Sequence, residues 1–209
     1  MFGGVVTIES AIASLGQEYP ADAVARFEVL LSELERWNSK VNLTAIRKRD
    51  EMVTGHLLDS LVARPLLHGN TVLDVGTGAG FPGLPLAIVE PQRHFTLVDS
   101  NNKKIMFIQH VAGLLGLGNV SAVKARSEDY APGRRFDTVT ARALAALPKL
   151  VELAGHHVGE DGVFVALKGR YPEEELQQLP ETWRAEVTEL NVPGLEAGSR
   201  HAVLLRRQN

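Results

Sequence analysis

The stretch LDVGTGAGFPGLPL, residues 73–86, decides the fold of this chain of 209 residues. A short apolar run begins before it at Thr71 and an apolar segment follows it to Val89, which predicts a strand, a tight glycine loop and a helix. Glycine is needed where the backbone turns with positive φ or approaches a ligand too closely for a Cβ atom. Two ligands fit such a loop, a dinucleotide or S-adenosylmethionine. A turn that only packs the helix on the sheet is the remaining alternative.

The spacing of three glycines satisfies the dinucleotide pattern G-x-G-x-x-G: Gly78, Gly80 and Gly83. Asp99 follows roughly 20 residues later, as a dinucleotide fold requires. However, a pyrophosphate binds free N–H groups at a helix start, and Pro82 and Pro85 remove two of those donors. Asp74 adds negative charge where phosphates would lie. S-adenosylmethionine carries no phosphate, and its sulfonium, amino-acid group and ribose suit two acids and a close backbone better.

Composition and length predict one soluble globular domain, with room for a small appendage. The chain is 44% hydrophobic and 22% charged, which is ordinary for such proteins. No apolar run approaches the roughly 20 residues of a membrane span, and residues 1–6 lack the basic start of a signal peptide. The absence of cysteine excludes disulfides, thiolate metal sites and a cysteine nucleophile. We expect a cytoplasmic protein without a membrane partner or a metal centre.

The charge of the chain limits how it would bind nucleic acid. The formal net charge is −3 at pH 7, whereas proteins that bind nucleic acid mainly by charge are usually basic. Any such contact would therefore depend on local clusters. The run Arg47-Lys48-Arg49 is one cluster, for which a solvated turn and a phosphate contact are both open interpretations.

Residues 1–68 are predicted to form a helical extension packed on a core domain, residues 69–209. Apolar residues recur at helical spacing between positions 24 and 37, with Asp22 as the N-cap and Asn38-Ser39 as the stop. We expect this apolar face to pack on the core, and a partner-binding face is the alternative.

A further N-terminal helix is predicted to begin at Asp50 as its N-cap. His56 and Asp59 stand three residues apart and would share one face of it. A hydrogen-bonded pair that orients the helix is the simpler interpretation of these two side chains, and a catalytic pair is the alternative.

Strands alternate with helices from Thr71 onward. Seven strands are predicted, at residues 71–75, 94–98, 120–123, 136–141, 162–167, 185–192 and 201–206. Strands separated by helices imply a parallel sheet with helices on both faces. The last two strands form a hairpin across Pro193-Gly194, which gives the sheet an antiparallel edge strand. The fold class is therefore α/β and Rossmann-like, with a mostly parallel seven-stranded sheet.

Polar residues follow these strands at their carboxyl ends, where ligands bind in such a sheet. They are Asp74, Asp99, Ser127, Glu128, Arg142 and Lys168. Asp99 can bind both ribose hydroxyls of a nucleoside, Ser127 and Glu128 can bind the adenine edge, and Phe81 can pack on the adenosine. A helix cap or a surface charge explains each residue alone, and their shared position at one sheet edge favours a joint site.

Short motifs spread from Trp37 to Arg207 also carry a family resemblance. They are Trp37-Asn38, Asn42-Leu43-Thr44, His56-Leu57-Leu58-Asp59-Ser60-Leu61, the loop from Asp74 to Gly83, Leu97-Val98-Asp99-Ser100, Lys103-Lys104, Ala141-Arg142-Ala143, Lys168-Gly169 and Arg200-His201. In this combination they resemble the bacterial small-subunit ribosomal RNA guanine-N7 methyltransferase family, once called glucose-inhibited division protein B.

The resemblance implies a class I S-adenosylmethionine-dependent methyltransferase fold with a small helical N-terminal part. It implies that five residues contact the cofactor: Gly76, Phe81, Ser127, Glu128 and Arg142. Gly78 and Gly80, from the glycine loop, and Asp99, from the end of the second strand, complete the predicted cofactor site. Ser127 departs from the alanine that many relatives carry, and a main-chain contact would survive that change.

The resemblance also implies the substrate, which is 16S ribosomal RNA. The near-neutral charge favours this RNA within the small ribosomal subunit or an assembly intermediate, and naked RNA stays the alternative. The implied target is N7 of guanine 527 in the 530 loop. N7 has a free lone pair and no proton, so it can attack a methyl group without a general base, and positioning then carries catalysis. Methylation of an exocyclic amine often uses an Asp/Asn-Pro-Pro-aromatic loop after the fourth strand. This chain has Ala141-Arg142-Ala143-Leu144 there, so we do not expect an exocyclic amine as the target.

Arg142 is the candidate positioning residue, since it could reach both the cofactor and the guanine, with a structural ion pair as the alternative. Basic residues predicted to contact RNA are Arg126, Lys168, Arg200 and His201. For each of them alone a solvated surface charge is an equally good explanation. Three other functions stay open: a small-molecule methyltransferase, which the acidic charge favours, a nucleotide-binding or assembly module without catalysis, and a dehydrogenase.

Overall fold

The computed structural model describes residues 7–195 and 200–208. Its N-terminal part is helical, with α1 (Ile8–Ala13), α2 (Ala23–Val41), α3 (Arg49–Met52) and α4 (Asp59–Leu61). A π-helical segment, Val53–Leu58, joins α3 to α4, and a 3₁₀ turn, Arg64–Leu66, leads to the sheet. The division of the chain between residues 68 and 69 stays a prediction.

Seven strands form a single sheet. They are β1 (Thr71–Val75), β2 (His94–Asp99), β3 (Val120–Lys124), β4 (Phe136–Arg142), β5 (Val158–Lys168), β6 (Trp183–Leu190) and β7 (Arg200–Arg207). The spatial order is β3-β2-β1-β4-β5-β7-β6, and the first five strands in that order are parallel. The strand order reverses between β1 and β4, which is the switch point where such sheets bind ligands.

The mostly parallel, seven-stranded sheet confirms the predicted fold class, with one difference at the edge. β7 is the antiparallel strand, but it pairs with both β5 and β6 and so lies one place inside the sheet. The edge strand is β6, which runs parallel to β5. The chain order of a hairpin does not tell which of its strands joins the sheet first, so this position could not be predicted.

Helices cover both faces of the sheet. They are α5 (Gly83–Val89), α6 (Asn102–Leu114), α7 (Leu147–Ala154) and α8 (Glu173–Gln177). Successive residues of a strand point to opposite faces: Val72 packs with α5, α6 and the N-terminal helices, whereas Leu73 packs with α7. No helix within the two described ranges is long and apolar enough to cross a membrane.

The apolar face of α2 packs on α5 and α6, as predicted. The helix continues past the predicted stop at Asn38-Ser39, because the Asn38 side chain is buried and binds the backbone N–H of Thr44 and the carbonyl of Ile46. It ends at Val41, and Asn42 follows with a φ of +46°. A side chain that normally stops a helix instead holds the next loop.

The basic run after α2 makes internal contacts. α3 begins at Arg49, so Asp50 lies in its first turn and is not the N-cap. Arg49 forms ion pairs with Glu28 and Glu35 of α2, at 2.5 and 2.9 Å. Arg47 donates to a backbone carbonyl of α2 at 3.0 Å. These contacts tie α3 to α2 and favour the structural interpretation of the run over a phosphate contact.

Candidate active site

The carboxylate of Asp74 fastens the glycine loop to the end of β1. It accepts hydrogen bonds from the hydroxyls of Thr77 and Thr140, at 2.6 and 2.9 Å, and from the backbone N–H of Gly83 at 3.0 Å. Burial raises the pKa of this carboxyl to about 6, although its three donors act to lower it. Asp74 is only 1% exposed, so its role is to hold the loop, and it is not placed to touch a ligand.

Replacing Asp74 with asparagine tests this ionisation. The pKa in the fold, about 6, lies above the ordinary 3.8, so the folded state favours the protonated carboxyl. The stability that this group adds is present below about pH 4 and is lost as the pH rises through about 6. We expect the wild type's advantage in unfolding free energy over Asp74→Asn to fall by about 2 kcal/mol from pH 4 to pH 7 in urea titrations. A difference independent of pH would contradict a raised pKa.

The start of α5 has no backbone donor left for a phosphate. The N–H of Gly83 binds Asp74, the N–H of Leu84 binds the carbonyl of Gly80, and the N–H of Leu86 binds the carbonyl of Pro82. Pro85 has no N–H, and every residue of α5 is buried. A pyrophosphate needs free N–H groups at this place, so the geometry argues against a dinucleotide.

Asp99 and Gly78 lie together at the carboxyl ends of β1 and β2. The two oxygens of Asp99 accept from the N–H groups of Gly78 and Asn101, at 3.0 and 2.8 Å. Gly78 has a φ of +63°, and a Cβ atom on it would meet nothing within 4 Å in the described part of the chain. Asp99, the residue predicted to bind ribose hydroxyls, thus lies beside the backbone of Gly78, which a ligand can approach closely. This arrangement fits a nucleoside without phosphates.

Side chains cover Gly76 and Gly80, the two other loop glycines predicted to contact the cofactor. A Cβ atom on Gly76 would lie 2.7 Å from Leu144, and one on Gly80 would clash with the neighbouring Leu84. Phe81 is 4% exposed, and its ring stacks on His56 with a centroid distance of 4.7 Å. One face of Phe81 is therefore taken by the protein. Its contact with the adenosine stays a prediction, as do the contacts of the three loop glycines.

The predicted adenine contacts follow β3. Glu128 is exposed, and the Ser127 hydroxyl donates to its carboxylate at 3.3 Å. His157 binds the Ser127 carbonyl at 2.9 Å and so holds the main chain of this loop. Arg126 is exposed, with its guanidinium 3.9 Å from Glu128. Ser127 and Glu128 thus lie at the predicted edge, and their binding to adenine stays a prediction.

Arg142, at the end of β4, is the centre of a polar cluster that joins the helical part to the sheet. Its Nη1 donates to the carbonyl of Gly55 at 3.0 Å and to Asp59 at 2.8 Å. The other oxygen of Asp59 accepts from Nε of Arg200 at 2.9 Å. Gly55 lies in the π-helical segment, a type of helix frequent at functional sites. Asp59 thus binds two arginines that come from different strands.

His56 is the fourth member of this cluster. Its Nδ1 lies 3.2 Å from Nη2 of Arg142, and its Nε2 lies 2.8 Å from the hydroxyl of Thr44. Burial, together with the charge of Arg142, lowers the pKa of His56 to about 4, so the ring is neutral near pH 7. A guanidinium only donates hydrogen bonds, so Nδ1 of His56 accepts from Arg142. The ring proton is therefore on Nε2, which donates it in a hydrogen bond to the hydroxyl of Thr44. The predicted bond between His56 and Asp59 does not form; both bind Arg142 instead.

A cavity of about 380 Å³ opens beside this cluster, at the carboxyl ends of β4 and β5. Three of the four predicted RNA contacts line it, Lys168, Arg200 and His201, together with Arg142. Arg126 does not. The sequence could not indicate that Asp59 and His56 line the same cavity, because their partners on β4 and β7 lie far away in the chain.

Comparison with known proteins agrees with this geometry. A family model described as rRNA small subunit methyltransferase G matches residues 23–203. A protein named ribosomal RNA small subunit methyltransferase G from Idiomarina loihiensis is 48% identical over 181 residues, which cover 86% of this chain and 87% of that protein.

The chain belongs to the rRNA small subunit methyltransferase G family. A second relative of the same name, from Aeromonas salmonicida, is 50% identical over 82% of this chain and 83% of its own length. The predicted family is thereby confirmed.

Solved structures show the same fold at low identity. A methyltransferase from Geobacter sulfurreducens matches with a TM-score of 0.59 and 13% identity, covering 98% of this chain and 99% of that one. A precorrin-6y C5,15-methyltransferase from Geobacter metallireducens matches with a TM-score of 0.56 and 14% identity, over 72% and 87% of the two chains. The fold and the family make this chain an S-adenosylmethionine-dependent methyltransferase. When bound, S-adenosylmethionine supplies an electrophilic methyl group.

Proposed function

We propose that this chain methylates N7 of a guanine in small-subunit ribosomal RNA, guanine 527 of the 530 loop, without a general base. The observation that carries the proposal is the state of the groups around Arg142. His56 accepts from Arg142 and donates to Thr44, and both oxygens of Asp59 are held by arginines. The basic nitrogen of His56 is thus occupied, and the carboxylate of Asp59 is engaged by two guanidinium groups. A nucleophile that has no proton to lose fits such a site.

The arginines of the cluster keep donors for a substrate. A guanidinium has five N–H groups, and three of those on Arg142 have partners within the described ranges, which leaves one on Nη2 and the one on Nε. Arg200 uses only Nε among the contacts of the described residues. The O6 atom of guanine is an acceptor next to N7. Donation to O6 would orient the base and leave the N7 lone pair free for the new N–C bond. That bond would form as the S–C bond to the methyl group breaks and its electron pair goes to sulfur, which leaves as a neutral thioether, and no proton moves.

The charge of the chain supports a structured particle as the substrate. With a net charge of −3, general attraction to phosphate supplies little affinity, so the shape of folded RNA would have to contribute. We therefore propose the small ribosomal subunit or an assembly intermediate, in the cytoplasm, as the substrate. The residues proposed to hold the cofactor are Gly76, Gly78, Gly80, Phe81, Asp99, Ser127, Glu128 and Arg142.

Transfer of label from methyl-labelled S-adenosylmethionine tests the proposal. Small subunits that lack the modification, protein-free small-subunit RNA and a panel of small metabolites would be offered in parallel. We expect label in the subunit RNA, released on nuclease digestion as 7-methylguanosine, and one chemical scission site at guanine 527. Label on another atom would overturn the N7 assignment. Faster transfer to metabolites would favour a small-molecule methyltransferase, and binding of S-adenosylmethionine without turnover would favour a non-catalytic module.

A further inference from the structure

An exposed aromatic residue lies at the rim of the cavity beside Arg142. Tyr171 follows β5 and is 55% exposed. The other large apolar side chains that are exposed in the described part are aliphatic: Met106, Leu114 and Leu144. An exposed aromatic ring next to this cavity offers a flat apolar face on which a ligand can stack.

The ring of Tyr171 has a fixed neighbour in the cavity wall. It makes a T-shaped contact with His201, with a centroid distance of 5.6 Å and an angle of 84° between the rings. A T-shaped contact uses at most one face of a ring, so at least one face of Tyr171 stays open. His201 lines the cavity and is 9% exposed. Tyr171 therefore lies next to the cavity, in contact with His201 of its wall.

The segment that carries Tyr171 is anchored on both sides. Lys168 before it donates to the carbonyl of Ala145 at 2.8 Å and pairs with Glu175 at 2.6 Å. After it, the carbonyl of Pro172 accepts from the N–H of Leu176 at 2.9 Å. These contacts fix the backbone on both sides of Tyr171 before any ligand binds, which reduces the entropy cost of ordering this segment on binding.

Two arginines lie close to the segment that carries Tyr171. Arg170 precedes it in the chain, is exposed and forms no ion pair within residues 7–195 and 200–208. Arg200 lines the cavity, and its Nη1 lies 3.4 Å from the position of a Cβ atom on Gly169; within the described residues its other N–H groups have no hydrogen-bond partner. After Tyr171 in the chain, Glu173 and Glu174 are exposed in the first turn of α8. A phosphate backbone would therefore be attracted to the arginines and repelled by the start of α8.

We infer that Tyr171 is a stacking platform for an unpaired base next to the target guanine, with Arg170 and Arg200 binding the adjoining phosphates. Proteins recognise single-stranded RNA by stacking its bases on aromatic rings flanked by cations. The inference rests on the proposed function, because it takes RNA as the ligand. It assigns to the segment that follows β5 a role in binding RNA rather than the cofactor.

Two substitutions at Tyr171 test the inference. Tyr171→Ala removes the ring and Tyr171→Phe keeps it, while Leu114→Ala removes an exposed apolar side chain elsewhere. Methyl transfer would be measured on unmodified small subunits, and the Kd would be measured for protein-free small-subunit RNA and for S-adenosylmethionine. We expect Tyr171→Ala to raise the KM for subunits and the Kd for protein-free RNA roughly ten- to a hundredfold. Tyr171→Phe and Leu114→Ala should stay within about twofold of wild type, and the Kd for S-adenosylmethionine should not change.

Three outcomes would overturn the proposal that Tyr171 stacks on a base. An unchanged KM for Tyr171→Ala would show that no base stacks there. An equal loss in Tyr171→Phe would assign the effect to the hydroxyl. A higher KM for subunits with an unchanged Kd for protein-free RNA would assign the ring to a ribosomal protein. Failure of the proposed function is distinguishable from all three, since the wild type itself would then place no label on guanine N7.

Discussion

Arg142→Ala is expected to lower kcat/KM for methyl transfer to RNA roughly a thousandfold. Arg142 lies between the helical part and the cavity, where Gly55, Asp59 and His56 hold its guanidinium; two of its N–H donors have no partner in the part of the chain that the structure describes. Loss of those donors removes the group proposed to orient the guanine. Arg142→Lys should keep part of the activity, because an ammonium supplies charge but has only three donors and no planar fork.

Controls separate a positioning role from a merely structural ion pair. Arg184 is exposed on β6 at the opposite edge of the sheet, and Arg184→Ala should behave as wild type. Removal of Arg142 leaves Asp59 with Arg200 as its charged partner, so some stability will be lost, and urea unfolding would measure it. If Arg142→Ala stays folded at the assay temperature and transfers methyl groups at more than a tenth of the wild-type rate, Arg142 does not position the guanine.

Asp99→Ala is expected to raise the Kd for S-adenosylmethionine roughly a hundredfold. Its carboxylate lies at the end of β2, 9% exposed, beside the open backbone of Gly78. Two charge-assisted hydrogen bonds to ribose hydroxyls would be lost together. Asp99→Asn retains one acceptor and should lose less. Calorimetric titration gives both values.

The matched control for this variant is Asp129, an exposed carboxylate after β3. Asp129→Ala should leave the Kd for S-adenosylmethionine unchanged. If Asp99→Ala binds the cofactor as tightly as wild type, Asp99 serves only to order the loop through Gly78 and Asn101.

Much of the fold follows from local pattern. The bounds of β1 were predictable to the residue, since apolar residues lead from Thr71 into the glycine loop. Hydrophobic periodicity also indicated the face of α2 that packs on the core. The end of α2 was not predictable, because Asn38 binds Thr44 and Ile46 of the following loop and does not stop the helix. Long-range partners decide such cases.

The candidate site was predictable in its residues and less so in their partners. Asp99, Arg142 and Lys168 follow strands, so the sequence placed them at one edge of the sheet. The fully buried carboxylate of Asp74 shows the limit, since only the fold brings the Thr140 hydroxyl to it from β4. Tyr171 carried no local signal, because its exposure depends on how the segment after β5 is anchored.

The glycine loop gives the most direct test of the proposed cofactor, because the start of α5 has no free N–H for a phosphate, while Gly78, beside Asp99, faces open space within the described residues. Calorimetric titration of the wild-type chain with S-adenosylmethionine and with NAD, under identical conditions, compares the two ligands. We expect saturable binding of S-adenosylmethionine and no measurable heat from NAD. Binding of NAD in competition with S-adenosylmethionine, or failure of S-adenosylmethionine to bind, would contradict the account.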